Sequence, residues 1–308
     1  MMKKNNPYRG VIVPMVTPLN DDYSIDKDSV GRLVGLLLES GASPFIAGTT
    51  GEASSLSVRQ KEILVKETVR QVAGKALVYA GIAGNCLPES IEAAKRFADL
   101  GADVLVANMP SYYPLKESCT MRYCEQLAEA CPIPLIVYNI PATTGYSIPL
   151  DLLDKLSHHP GIAGLKDSEK DQERLDQALN LWKNRADFVH LTGWAAMSVY
   201  ALKNGSDGIV PSTGNFAPLQ YVNLYQAARS GNWQEAERLQ EETDKQSALY
   251  QKGRSLSESL AALKVIMSVK GICGTQMMPP LYKMDQEEED QYRKEIEAEL
   301  ANLNKEEK

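Results

Sequence analysis

The sequence predicts an α/β fold, a (β/α)8 TIM barrel with a C-terminal helical extension, and three observations carry this. Eight short apolar runs alternate with longer amphipathic stretches, as parallel strands joined by crossover helices do. No glycine fingerprint of a dinucleotide-binding open sheet follows the first run, which is succeeded by Pro18-Leu19-Asn20-Asp21-Asp22. After Ser212 the pattern turns wholly helical. Residues 1–228 are assigned to the barrel and 229–308 to the extension, a length that suits one barrel with an appendage.

The strands are expected at Val11 to Thr17, Pro44 to Gly48, Ala76 to Ile82, Val104 to Met109, Leu135 to Ile140, Ile162 to Lys166, Phe188 to Gly193 and Gly208 to Ser212. The first helix follows from Ile25, Val30, Leu33, Val34 and Leu37, which recur at helical spacing. Ser57 caps the second helix, and Gln60 three residues on completes a capping box. Glycines in Glu39-Ser40-Gly41, Val72-Ala73-Gly74 and Asp99-Leu100-Gly101 end helices shortly before the next strand. The extension reads as helices from Leu219 to Arg229, Trp233 to Gln251 and Ser257 to Val269, a charged segment from Gln286, and a solvated tail from Asn304.

Composition narrows the function. A net charge of −7 argues against a nucleic-acid binder. No run approaches the roughly 20 apolar residues that cross a bilayer, and the polar start lacks a secretory core. The five cysteines are odd in number and without metal-ligand spacing, which predicts reduced thiols in a cytoplasmic protein. Only His158, His159 and His190 are present, too few for a zinc centre and poorly placed for a Ser-His-Asp triad. Neither a metal nor a cofactor is expected, and the partner is a small molecule.

In such a barrel the reactive groups belong at the carboxyl ends of the strands. Lys166 ends the sixth strand behind Ile162-Ala163-Gly164-Leu165. Burial there disfavours the ammonium and releases an amine able to attack a ketone. Tyr138 ends the fifth strand and Thr49 and Thr50 the second, offering a phenol and two hydroxyls for proton transfer. Taken singly, a core tyrosine and an ordinary threonine turn read at least as well, and a snorkelling or ion-paired lysine less well.

Together, Gly48-Thr49-Thr50-Gly51-Glu52, Tyr138-Asn139-Ile140-Pro141 with Thr144-Gly145, Gly164-Leu165-Lys166-Asp167-Ser168 and Gly208-Ile209-Val210-Pro211-Ser212-Thr213-Gly214-Asn215 resemble the dihydrodipicolinate synthase and N-acetylneuraminate lyase family. The resemblance runs from about Gly10 to Pro280. It implies Lys166 as the lysine that binds pyruvate or another 2-oxo acid as a Schiff base, with Tyr138 as proton donor and acceptor. It implies that Thr49 and Thr50 hold the 2-oxo acid carboxylate and relay protons, and that Val210 contacts it through its backbone. Tyr112, or Tyr113 in its place, would complete a relay into a neighbouring subunit, so a homo-oligomer, dimer or tetramer, is implied.

The resemblance also separates the branches. Synthases carry an arginine at the position of Thr143, and a threonine cannot replace that bidentate carboxylate clamp. Sialic-acid lyases carry acidic residues where this chain has Gly193-Trp194-Ala195-Ala196. The nearest likeness is to the 2-keto-3-deoxy sugar-acid aldolases, which yield pyruvate and an aldehyde. Thr143, Ser168, Trp194 and Ser212 are the candidates for reading the aldehyde half. A synthase, a sialic-acid lyase or a dehydratase on the same Schiff base are the alternatives. A 2-oxo-acid-binding regulatory barrel without turnover is the reading from another class.

Overall fold

A computed structural model describes residues 6–306 of the chain. Strands β1 (Gly10–Pro14), β2 (Ser43–Ile46), β3 (Tyr79–Gly81), β4 (Val104–Asn108), β5 (Leu135–Asn139), β6 (Ile162–Asp167), β7 (Val189–Thr192) and β8 (Gly208–Ile209) close in chain order into a parallel barrel. The fold expected from the alternation is the one found. Except for β6, which runs one residue further than expected, the strands are shorter than the apolar runs because the ends of those runs leave the ladder. Thus Ala76 to Val78 approach β3 without joining it, and Val210 and Pro211 lead from β8 into a 3-10 turn, Ser212–Asn215.

Alternation along each strand divides the core in two. Ile12, Phe45, Tyr79, Val104, Val106, Ile136, Tyr138, Val189, Leu191 and Val210 fill the barrel interior. Residues between them, such as Val11, Ile46, Leu105, Val137 and Leu165, pack outward against the helices. His190 falls between Val189 and Leu191 and therefore faces the helix layer, where its Nδ1 lies 3.2 Å from Ser206 Oγ. On β6 the interior position Gly164 is filled by its neighbour, since a Cβ there would stand 2.4 Å from Val189 Cγ2.

The local signals act as read. Ser57 and Gln60 form the reciprocal capping box of the helix Val58–Val72, and Gly41 ends the helix Lys27–Ser40 in the left-handed conformation. The eighth helix of the barrel, Pro218–Ser230, is followed by Trp233–Gln251, Leu256–Val269 and Gln286–Glu306. The tail expected from Asn304 begins inside that last helix, and residues 307–308 lie outside the described residues.

Two buried polar anchors tie the ends of the chain to the carboxyl face. Asn215 accepts from Val16 N (2.9 Å) and donates to Pro14 O (2.9 Å) and Ser212 O (2.8 Å), lacing the end of β1 to the turn after β8. Lys264, on the helix Leu256–Val269 and 1% exposed, pairs with Glu52 Oε1 at 2.6 Å and donates to Thr17 O and Gln276 O. The other Glu52 oxygen accepts from Met278 N at 2.7 Å. The last residue of the Gly48 to Glu52 turn is thereby bolted to the C-terminal extension.

Removing one partner of a buried pair strands the other charge. Lys264→Met is expected to cost about 3–5 kcal/mol in urea unfolding. Glu52→Gln combined with it should lose less than the sum of the two single variants, since the second change removes the stranded carboxylate.

Candidate active site

Strand register sets the centre of the site. Tyr138 is the direct partner of Lys166 across β5 and β6, and Leu191 stands on its other side. Both chain positions point inward at the carboxyl end, and neighbouring parallel strands lie about 4.8 Å apart. Lys166 Nζ accordingly sits 3.3 Å from the centre of the Tyr138 ring and 5.5 Å from that of Phe45. The lysine is only 6% exposed. Burial lowers its pKa, against the opposing pull of the Tyr138 phenol and Asp167. For Tyr138, burial pushes upward, but the Lys166 charge and hydrogen bonds with Lys166, Thr49 and Ser168 outweigh it, and its pKa is lowered. Burial thus loosens the lysine's hold on its proton, while the lysine's charge acidifies the phenol beside it.

Thr49 Oγ1 lies 3.4 Å from Tyr138 OH. It is carried by a turn between two residues of positive φ, Ala47 (51°) and Glu52 (57°), with Gly51 N donating to Gly48 O and Glu52 N to Thr49 O. Asp167, next to Lys166, points into the helix layer instead. There Asn139 Nδ2 donates to it (2.8 Å), Arg174 Nε pairs with it (2.9 Å), and Asn139 Oδ1 accepts from Ile148 N (3.0 Å). The residues flanking the reactive pair therefore hold β5 and β6 together from behind. Ser168 is held beside Gly193, where any Cβ would come within 2.0 Å of the serine Oγ.

A cavity of about 330 Å³ opens over Lys166. Thr49, Thr50, Tyr138, Thr143, Ser168, Val210 and Ser212 all line it, so the structure gathers seven of the residues singled out in the sequence around the eighth. One residue expected there lies elsewhere. Trp194 does not line the cavity; it leads into the 3-10 turn Ala195–Met197, and only its neighbour Gly193 reaches the wall. Tyr112 and Tyr113 are 77% and 73% exposed on the β4 loop, packed edge to face on each other. A second cavity of about 460 Å³ adjoins the first, sharing Thr49, Tyr138, Thr143, Leu256 and Leu260 with it.

Comparison with known proteins agrees with this geometry. The model of the dihydrodipicolinate synthetase family matches residues 7–299. The chain belongs to that family. It is 35% identical over 283 residues to an uncharacterised DapA-like lyase of Thermococcus kodakarensis, covering 91% of this chain and 95% of the relative. It is 34% identical to a 4-hydroxy-tetrahydrodipicolinate synthase of Laribacter hongkongensis, over 75% of this chain and 79% of that one. The dihydrodipicolinate synthase of Bacteroides thetaiotaomicron superposes with a TM-score of 0.88 at 32% identity, covering 96% and 99% of the two chains. YagE, a prophage protein of the family from Escherichia coli K12, superposes with a TM-score of 0.89 at 26% identity, covering 97% and 99%. Like the family, this chain is a lyase.

Seen as a dihydrodipicolinate synthetase family barrel, the site holds several residues that sequence reasoning missed. Gln251, Arg254 and Ser259 reach the cavity from the C-terminal extension, and Lys170 from the β6 loop. Tyr250 OH, which lines it too, lies 2.7 Å from Ser212 Oγ and accepts from Gln251 Nε2. Lys170 had a signal, its place in the loop after the reactive strand; the extension residues had none. Among the described residues no group of three or more His, Cys, Asp or Glu is gathered to hold a metal ion.

The buried lysine has a consequence for stability. Its folded pKa lies below the 10.5 of an ordinary lysine, so between those values unfolding takes up a proton. The cost of burying the amine is therefore full below the folded pKa and is lost as pH rises towards 10.5. Lys166→Met should raise the unfolding midpoint at neutral pH, with a gain that shrinks as the melts are taken to alkaline pH.

Proposed function

We propose that this chain is a class I aldolase that holds pyruvate on Lys166 as a Schiff base and reversibly cleaves a 2-keto-3-deoxy sugar acid to pyruvate and an aldehyde. The observation that carries this is the buried Lys166 amine, lowered in pKa, against the face of the Tyr138 ring. YagE and the dihydrodipicolinate synthase of Acinetobacter baumannii were each solved in complex with pyruvate, which supports pyruvate as the bound 2-oxo acid.

The reaction runs from the residues as follows. The neutral Lys166 amine adds to the C2 carbonyl and water leaves, giving an iminium. The Tyr138 phenolate takes the proton of the C4 hydroxyl, the C3–C4 bond breaks, and its electron pair flows to the iminium as an enamine while the aldehyde departs. Tyr138 returns the proton to C3, with Thr49 at 3.4 Å as the next member of the chain. Water then hydrolyses the iminium and releases pyruvate. Thr49, Thr50 and the Val210 backbone are assigned to the carboxylate, and Thr143, Ser168 and Ser212 to the aldehyde half. The carbonyl chemistry is completed on the lysine and requires no cofactor.

The exposed Tyr112 and Tyr113 pair supports a homo-oligomer in which one protomer's tyrosine meets the relay of its neighbour. The five cysteines, all unbridged, two of them exposed, suit the reducing cytoplasm. Thr143, in the short helix Pro141–Thr144, donates its hydroxyl to Ile140 O at 3.3 Å, and the lack of a guanidinium at this position favours sugar-acid cleavage over the synthase reaction.

Borohydride reduction in the presence of pyruvate, followed by peptide mass mapping, is expected to place a reduced pyruvyl adduct on Lys166; its absence would falsify the Schiff-base reading. Tyr138→Phe should still form the adduct but lose about 10²–10⁴-fold in kcat. In a screen of 2-keto-3-deoxy acids, cleavage should outrun condensation of pyruvate with aspartate semialdehyde. The reverse order would overturn the argument from Thr143.

A further inference from the structure

The cavity over Lys166 is lined by three basic side chains, Lys166, Lys170 and Arg254, and by no aspartate or glutamate. This is a pointed asymmetry in a chain whose net charge is −7. Lys166 is committed to the carbonyl carbon. The other two have no substrate group assigned to them. Arg254 stands in the turn between the helices Trp233–Gln251 and Leu256–Val269. Its guanidinium lies 4.6 Å from the centre of the Tyr292 ring, and Nη1 donates to Leu249 O at 3.2 Å. These contacts orient a half-buried fork and use one of its five N–H donors. Among the described residues no carboxylate pairs with Arg254 or with Lys170. The acid nearest in sequence, Glu258, is occupied by capping its own helix, accepting from Ser255 N at 2.7 Å. A half-buried arginine that lines an acid-free cavity, with its guanidinium held by an aromatic ring and a carbonyl, is suited to an anion that the protein itself does not supply.

We infer that Arg254, assisted by Lys170, reads an anionic group, carboxylate or phosphate, at the far end of the aldehyde half of the substrate. This rests on the aldolase reading above and narrows it. The substrate is a 2-oxo acid charged at both ends, one carboxylate held near Lys166 and the second anion by the fork of Arg254. The guanidinium that lines this cavity comes from the C-terminal extension. Arg254 acts as a specificity residue that touches the end of the substrate remote from the bond that breaks.

The test compares matched aldehydes in condensation with pyruvate by the full-length enzyme: glyceraldehyde 3-phosphate against glyceraldehyde, and succinic semialdehyde against butanal. Wild type should favour at least one anionic member by about tenfold or more in kcat/KM. The pair that shows the preference tells phosphate from carboxylate. In Arg254→Met that ratio should fall about ten- to hundredfold, the range of a charge-assisted hydrogen bond, with Arg254→Lys between the two and Lys170→Met falling less. Ratios are read because Arg254→Met also loses the Tyr292 contact, which affects both members of a pair alike; Lys170, exposed on a loop, supplies a variant free of that complication. Where no aldehyde is turned over, calorimetric dissociation constants of the same four compounds on the borohydride-reduced pyruvyl enzyme give the same ratios. A wild-type ratio near one, or a ratio that neither Arg254→Met nor Lys170→Met changes, overturns the inference. Failure to form the pyruvyl adduct is a separate result and strikes the Lys166 reading; the anion preference is then read by titrating the untreated protein.

Discussion

The buried pair of Lys264 and Glu52 is the constraint on which the site depends. Two charges removed from water demand partners, and here the ammonium has Glu52 and two carbonyls while the carboxylate has Lys264 and Met278 N. Such geometry costs much and contributes modestly to stability, but it allows little latitude in position. Glu52 closes the turn that presents Thr49 and Thr50 and itself sits at a φ of 57°, unfavourable for a side chain with a Cβ. The ion pair holds that strained residue. It also ties the C-terminal extension to the face that carries the candidate site, since the helix carrying Lys264 begins just after Arg254 and carries Leu260 into the cavity wall.

The reactive pair is built on opposite terms. Lys166 is buried without a carboxylate on its own side of the strand; the acid next to it, Asp167, is turned outward and engaged by Arg174 and Asn139. The amine is left with an aromatic face and a phenol, so desolvation dominates its titration. The same alternation of the strand that places Lys166 inside places its potential counter-ion outside. The proposed reactive lysine and a structural brace are thus adjacent residues on one strand, separated by the pleat.

Electrostatics on the larger scale follow from the same division. The chain is acidic as a whole, while its cavity collects cations and hydroxyls and excludes carboxylates. An anionic substrate therefore meets a surface that repels it in general and a mouth that attracts it in particular, with low-dielectric walls to strengthen the contrast.

Much of this was determined by the sequence alone. The number and order of the strands followed from apolar runs and glycine punctuation, because those signals are local and each run is long enough to show its period. The position of Lys166 at a strand end, with Tyr138 and the threonine turn, followed from motif and topology together, since a closed parallel barrel leaves strand ends only one common meeting place. What only the tertiary structure decided were the contacts made across long stretches of chain. His190 could face either way until the register of β7 was known. Trp194, expected at the pocket, does not line it and stands just before a 3-10 turn that apolar patterning does not reveal. Glu52 looked like the end of a motif, and its partner Lys264 like one more residue of an apolar helix. Arg254 was a charge in a linker between helices. Their meeting around one cavity depends on how the extension packs back over the barrel, a matter of three-dimensional complementarity that no periodicity along the chain records.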